Sequence, residues 1–217
     1  AIFVMEKIDS LSEETILSNS LTIDNLRFYI KCIFEALHEA HKLNIIHRDL
    51  RFQNVLVKPN FEDTIVIDWG CGTKIKDAMN FSKGARSTRS PEMLMGYTNY
   101  GMKGDIWAVG VLVLYILSDG NIPWNGKSSK ESLFLMSIYF GAKNILDLEN
   151  ILHKKCQSKK LRKHVNDDIV PIDEIISKNH KKLICKDLMD LIHQCLTLDY
   201  RRRPSAINML DHPFFHQ

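Results

Sequence analysis

Asp49, Asn54 and Asp68 are the side chains in this sequence best suited to chemistry by type and spacing. Asn54 follows Asp49 by five residues, and Asp68 follows Asn54 by fourteen. A carboxylate beside an attacking hydroxyl can take its proton. A second carboxylate together with an amide oxygen can hold Mg²⁺, a hard cation that prefers oxygen ligands. The set suits phosphoryl transfer, where catalysis is mainly positioning and charge neutralisation. The three groups must converge, and the flanking residues supply the means. An apolar run, VLV, follows Asn54; another, TIVI, precedes Asp68; Pro59-Asn60 lies between them. Short apolar runs split by a Pro-Asn turn predict a β-hairpin. The hairpin carries Asn54 and Asp68 to one end, with Asp49 on the loop before it. A hairpin with merely solvated acidic ends is the bland alternative.

The tripeptide His47-Arg48-Asp49 alone is a weak signal. The longer pattern H-R-D-L-x-x-x-N, followed by Asp68-Trp69-Gly70, resembles the catalytic and metal-binding loops of the protein kinase family, with Trp where Phe is usual. The resemblance implies that Asp49 accepts the proton of the substrate hydroxyl, that Asn54 and Asp68 hold the Mg²⁺ of ATP, and that Leu56 forms the floor under adenine. It also implies that His47 and Trp69 are the lower positions of a stacked apolar column aligning two lobes. Arg51 stands where serine/threonine kinases usually have a Lys that touches the transferred phosphate. Arg keeps the charge but brings a wider planar fork, so the exchange is not conservative at a close contact. One group of tyrosine kinases also carries Arg there.

Other elements must hold this loop. Ser20 to Asn44 has helical periodicity: Leu26, Tyr29, Ile30, Ile33, Phe34 and Leu37 recur at three- and four-residue steps, with Thr22 as N-cap. It is similar to the long helix that delivers a kinase chain into its catalytic loop. His38 and His41 lie three apart on it without a third metal ligand nearby, and read as ordinary polar-face or packed histidines. Gly104 to Gly120 is apolar nearly all round and is expected to be a buried helix. Its Asp105-x-Trp107-x-x-Gly110 matches a kinase signature whose Asp braces the catalytic loop by backbone hydrogen bonds. Further helices are expected at about Lys130 to Phe140 and Cys185 to Thr197. Ala1 to Ile8 resembles the strand before the interlobe hinge, with Met5 as gatekeeper and Glu6 and Ile8 offering backbone groups to adenine.

GARSTRSPEML, residues 84–94, resembles the substrate-docking loop of serine/threonine kinases, with Met93 and Leu94 beginning a helix. Glu92 and Arg203 fit the buried ion pair that anchors that loop. Ala85 takes the place of a Thr whose hydroxyl bridges the catalytic Asp and the loop Lys, so both partners of that bridge are altered. Arg86 and Arg89 either face acidic residues beside the target hydroxyl or pair with local carboxylates and carbonyls. The basic run Lys154, Lys155, Lys159, Lys160, Arg162 and Lys163 reads as a solvated face, with an anionic partner as the sharper alternative.

Bulk properties set the frame. With 217 residues, 45% of them hydrophobic, the chain can bury a core as one domain. A net charge of +3 and a pI near 8.5 argue for no particular nucleic-acid or membrane partner. The apolar run Ile106 to Leu117, about 12 residues, is too short to span a bilayer. Five cysteines, an odd number without a C-x-x-C pair, read as reduced thiols, hence a nuclear or cytoplasmic protein.

The resemblance covers 1–217 as a single unit, hinge and C-terminal lobe only. The expected fold is therefore α+β, mainly α-helical, with the small hairpin at the catalytic loop and no N-terminal lobe. A lower lobe alone is expected to bind nucleotide poorly. The stretch ESLFLMSIYFGAKNILDLENILHKK (131–155) and the docking loop are similar to those of the cell-division-cycle-seven, replication-initiation kinases. That implies a serine/threonine kinase with a protein substrate at acidic-flanked sites and an activating regulatory subunit. The D-W-G spelling resembles casein kinase two, a second reading. A pseudokinase or truncated binding module is the third, resting on the expected absence of the upper lobe and on Arg51 and Ala85.

Overall fold

The computed structural model describes residues 6–18, 20–75, 84–154 and 158–216. Met5, the expected gatekeeper, lies outside them, as does Lys155 of the basic run. Helix α1 (Glu13–Ile16) precedes the long α2 (Ile23–Lys42). Four short strands follow, β1 (Ile45–Ile46), β2 (Val55–Val57), β3 (Thr64–Val66) and β4 (Thr73–Lys74). The rest is helical: α3 (Pro91–Leu94), α4 (Lys103–Leu117), α5 (Ser129–Phe140), α6 (Ala142–Leu152), α7 (Lys159–Lys163), α8 (Lys186–Cys195) and α9 (Ala206–Leu210). The mainly helical α+β expectation matches these elements.

Local chemistry explains the two helices that matter most. The Thr22 hydroxyl caps α2 by accepting from the Asn25 N–H at 3.1 Å. Leu26, Tyr29, Ile30, Ile33, Phe34 and Leu37 form its buried face, which packs on α4, α9 and β3. The helix ends at Lys42 with Leu43 as its C-cap, and Asn44, with a positive φ of 58°, turns the chain into β1. In α4 only Lys103 and Tyr115 escape full burial. Fully burying a Val, Leu or Ile contributes roughly 1.5–3 kcal/mol, so this helix anchors the domain. It lies so close to α8 that a Cβ on Gly110 would meet the Cys195 Cβ at 2.7 Å.

The predicted hairpin is β2–β3, antiparallel, with Val55 opposite Val66, Leu56 opposite Ile65 and Val57 opposite Thr64. Its turn uses Asn60 and Phe61 in left-handed conformation. A second ladder, β1–β4, pairs Ile45 with Lys74 and Ile46 with Thr73.

Two expectations shift. The docking-loop helix starts at Pro91 rather than Met93, because Pro suits the first helical position and Ser90 lies extended before it. The charged stretch after Ala142 contains α6, which the apolar pattern alone did not indicate. Ile145, Leu148 and Leu152 are buried, but Glu149 interrupts the stripe and is buried as well, paired with Arg162 at 2.9 Å. Part of the basic run is therefore spent within the fold; Lys160 also lies over the Phe134 ring, 5.4 Å from its centroid.

Candidate active site

The loop between β1 and β2 carries Asp49, and the structure holds it from below. Asp105, in the first turn of α4, accepts from the backbone N–H of His47 (2.8 Å) and of Arg48 (2.9 Å). His41 Nε2, from the last turn of α2, lies 3.0 Å from the same carboxylate. All three groups are buried at this junction or near it. Burial alone would raise the Asp105 carboxyl; His41 and the two N–H donors outweigh it and hold the group below its usual range. His41 was legible only as a packed histidine, because its partner lies 64 residues away.

That brace fixes an unusual backbone. Arg48 has φ of 66°, a left-handed conformation costing a non-glycine residue about 1–3 kcal/mol. Its guanidinium also donates to the Cys71 carbonyl at 2.6 Å, tying the loop to the chain just past Gly70. His47 is fully buried. Its Nε2 donates to the Ile67 carbonyl (3.0 Å) and its Nδ1 accepts from the Asp49 N–H (3.3 Å), which assigns the Nε2–H tautomer. The ring lies against Trp69 with centroids 4.6 Å apart and the planes tilted by 59°. The Trp69 indole N–H in turn donates to the Val66 carbonyl.

Asp49 is 8% exposed, on the rim of the site. The Asn54 amide nitrogen donates to the Asp49 backbone carbonyl at 2.8 Å. Committing that NH₂ leaves the amide oxygen as the atom that could ligate a cation. Asp68 is exposed, in left-handed conformation (φ 57°), and accepts from the Gly70 N–H at 3.3 Å. An amide oxygen and a solvent-facing carboxylate at the open end of one hairpin form a hard oxygen donor set, the kind Mg²⁺ takes along with phosphate and water. Among the described residues no group of three or more His, Cys, Asp or Glu could hold a metal, so such a site would rest on Asn54, Asp68 and non-protein oxygens. Leu56 and its cross-strand partner Ile65 leave one half-exposed apolar face beside them. Glu6 is exposed and Ile8 half-buried on the approaching segment, which the Leu11 N–H fastens to the Val57 carbonyl at 2.7 Å.

The docking segment closes the other side. Ala85 lacks the hydroxyl expected at its position, yet its backbone N–H donates to Asp49 Oδ1 at 2.8 Å. Arg51 Nε lies 3.8 Å from Asp49 Oδ2, an ion pair without a hydrogen bond. On this side Asp49 is therefore held by a backbone N–H, while no hydrogen bond through residue 85 links it to Arg51. Arg86 donates to the Gly126 carbonyl (3.0 Å) and Arg89 to the Gly84 carbonyl (2.8 Å), so both arginines engage local carbonyls. Trp124, fully buried, donates its indole N–H to the Ser87 carbonyl at 3.2 Å. Beneath, Glu92 and Arg203 form a two-pronged pair (2.8 and 3.2 Å) with both side chains wholly buried. Arg203 also donates to the Lys103 and Thr197 carbonyls and stacks over Trp107, 5.1 Å from the ring centroid.

Comparison with known proteins bears on this arrangement. The family described as protein kinase domain matches residues 1–215. The chain is 32% identical over 190 residues to calcium-dependent protein kinase 5 of Plasmodium falciparum, covering 86% of this chain and 27% of that protein. It is 24% identical to casein kinase II subunit alpha' of Saccharomyces cerevisiae over 98% of this chain and 62% of that protein. It is 29% identical to a probable cyclin-dependent serine/threonine-protein kinase of Dictyostelium discoideum, over 91% of this chain and 14% of that protein. The chain thus spans between about a seventh and three fifths of the length of these relatives. With the catalytic-loop geometry and a family match running almost end to end, the chain belongs to the protein kinase domain family.

Proposed function

We propose that the protein carrying this chain is an ATP-dependent serine/threonine protein kinase of the replication-initiation type, acting in the nucleus on acidic-flanked sites under a regulatory subunit. The observation that supports it most is the Asp49 carboxylate, held at the rim by the Ala85 N–H on a loop braced by Asp105. When bound, Mg-ATP supplies the transferable phosphoryl group and the divalent charge that draws it. Asn54 and Asp68 hold that cation, and Leu56 lies under the base. Asp49 orients the substrate hydroxyl and receives its proton as the oxygen bonds to the γ-phosphorus and the bond to ADP breaks. The positive charge of Arg51 sits beside this exchange. The resemblance of residues 131–155 and 84–94 supports the replication-initiation assignment.

The casein-kinase-two reading keeps a specific support: the D-W-G spelling and a likeness to casein kinase II subunit alpha' across 98% of the chain. The binding-module reading keeps its support in Arg51, whose Nε makes no hydrogen bond to Asp49, and in the missing hydroxyl of Ala85. The test is transfer from ATP to an acidic serine peptide by the protein encoded with its upstream sequence, beside Asp49→Asn. Activity at least a hundredfold above that variant is expected, the low end of general-base contributions. Equal rates would remove the enzyme reading.

A further inference from the structure

The peptide unit between Gly84 and Ala85 is engaged on both sides. Its carbonyl accepts from Arg89 Nη2 at 2.8 Å, and its N–H donates to Asp49 Oδ1 at 2.8 Å. In a trans peptide these two groups point in opposite directions from one rigid plane. Tilting the plane lengthens both bonds together. The plane has little freedom elsewhere: Gly84 sits at φ of 86°, and a Cβ there would meet the Arg48 carbonyl at 2.4 Å and Asp49 Oδ1 at 3.0 Å. On the far side the Ala85 carbonyl accepts from the Thr88 hydroxyl at 3.1 Å.

We propose that Arg89 is a positioning residue for the catalytic base, acting through the Gly84–Ala85 peptide to aim its N–H at the Asp49 carboxylate. Of the two readings of Arg89, acidic groups of the substrate or local carboxylates and carbonyls, the structure shows the second: its half-buried side chain turns inward onto the Gly84 carbonyl. The arrangement makes the aim of the base depend on the docking segment. The Asp49 carboxylate takes its short bond, from the Ala85 N–H, on Oδ1. Among the described residues its Oδ2 has only the long contacts to the Asn54 amide nitrogen at 3.5 Å and to Arg51 Nε at 3.8 Å, and is the oxygen left for the substrate hydroxyl. Released, the carboxylate rotates, and misplacement of reacting groups by about 1 Å can cost on the order of a hundredfold in rate. The inference rests on the kinase reading above.

Two substitutions isolate the two ends of the lever. Arg89→Ala removes the donor to the carbonyl. Ala85→Pro removes the N–H at a residue whose φ of −66° proline accepts, and it also sets the ring Cδ against Asp49 Oδ1, so its loss is an upper limit for the bond alone. Each is expected to lower kcat about tenfold to a hundredfold with KM for ATP unchanged. The double variant is expected to fall no further than the more impaired single one, because both act through one bond. Multiplying effects, or an unimpaired Arg89→Ala, overturn the lever while leaving the kinase reading in place. If the unsubstituted protein transfers no more phosphate than Asp49→Asn, the kinase reading fails instead. The lever is then decided by hydrogen exchange at the Ala85 amide, which also serves if Ala85→Pro does not fold. Faster exchange in Arg89→Ala upholds the coupling, and unchanged exchange overturns it.

Discussion

Replacing Asp105 by Asn tests whether one buried carboxylate organises the catalytic loop. In the native protein that carboxylate receives the His47 and Arg48 N–H groups at 2.8 and 2.9 Å and faces His41 at 3.0 Å. Asn keeps one acceptor oxygen. Its NH₂ must then confront one of the two backbone donors, leaving a buried N–H unsatisfied at a cost of about 1–3 kcal/mol. Loss of charge assistance at the remaining bonds adds on the order of 1 kcal/mol. A total of roughly 2–4 kcal/mol corresponds to a lower melting midpoint by about 4–16 °C for a domain of this size. The pH dependence carries a second signature. Because the folded-state pKa of Asp105 is depressed, its contribution is complete above the unfolded value, near 3.8, and is lost as pH falls through the folded value. Urea titrations should therefore show a constant deficit for Asp105→Asn from pH 7 down to about 5, narrowing only below about 4. Phosphoryl transfer should fall along with stability. A variant within about 0.5 kcal/mol of native at pH 7 would refute the argument, as would a deficit that grows on acidification.

Arg203→Met leaves the Glu92 carboxylate buried without its partner and should cost about 3–5 kcal/mol in urea unfolding; adding Glu92→Gln should recover part of the loss, since a neutral amide is cheaper to bury. Gly110→Ala drives a methyl to within 2.7 Å of the Cys195 Cβ and should destabilise by about 1–3 kcal/mol, measured the same way. The Cys195 thiol, pushed up to about 12 by burial, should resist a thiol reagent at pH 8 in the native protein and react only as it unfolds, as mass spectrometry of labelled peptides would record.

Much of the lower site was legible because local spacing carries it. The hairpin, the long helix with its Thr22 cap and the apolar α4 all follow from periodicity and turn residues within a few positions. The Asp105 brace and the Glu92–Arg203 pair were legible through family resemblance, since neither follows from spacing across 57 or 111 residues. What escaped reading has a common cause. The donor that holds Asp49 from position 85 belongs to the backbone, which every non-proline residue possesses, so no side chain announces it. His41 looked ordinary because its meaning depends on a distant carboxylate. Helix α6 was hidden by Glu149, whose burial makes sense only once Arg162 is beside it.

The anchoring of the docking segment also bears on how the chain acquires its shape during synthesis. Glu92 is matched by a residue 111 positions later, so the segment that aims Asp49 cannot be pinned until the chain has been made past Arg203. Closing so long a loop is entropically slow, and contacts of large sequence separation tend to form late. The hairpin and α2, by contrast, can assemble from neighbours. The catalytic centre therefore ripens in two stages: the cation-facing end is built from local contacts, and the base is locked last.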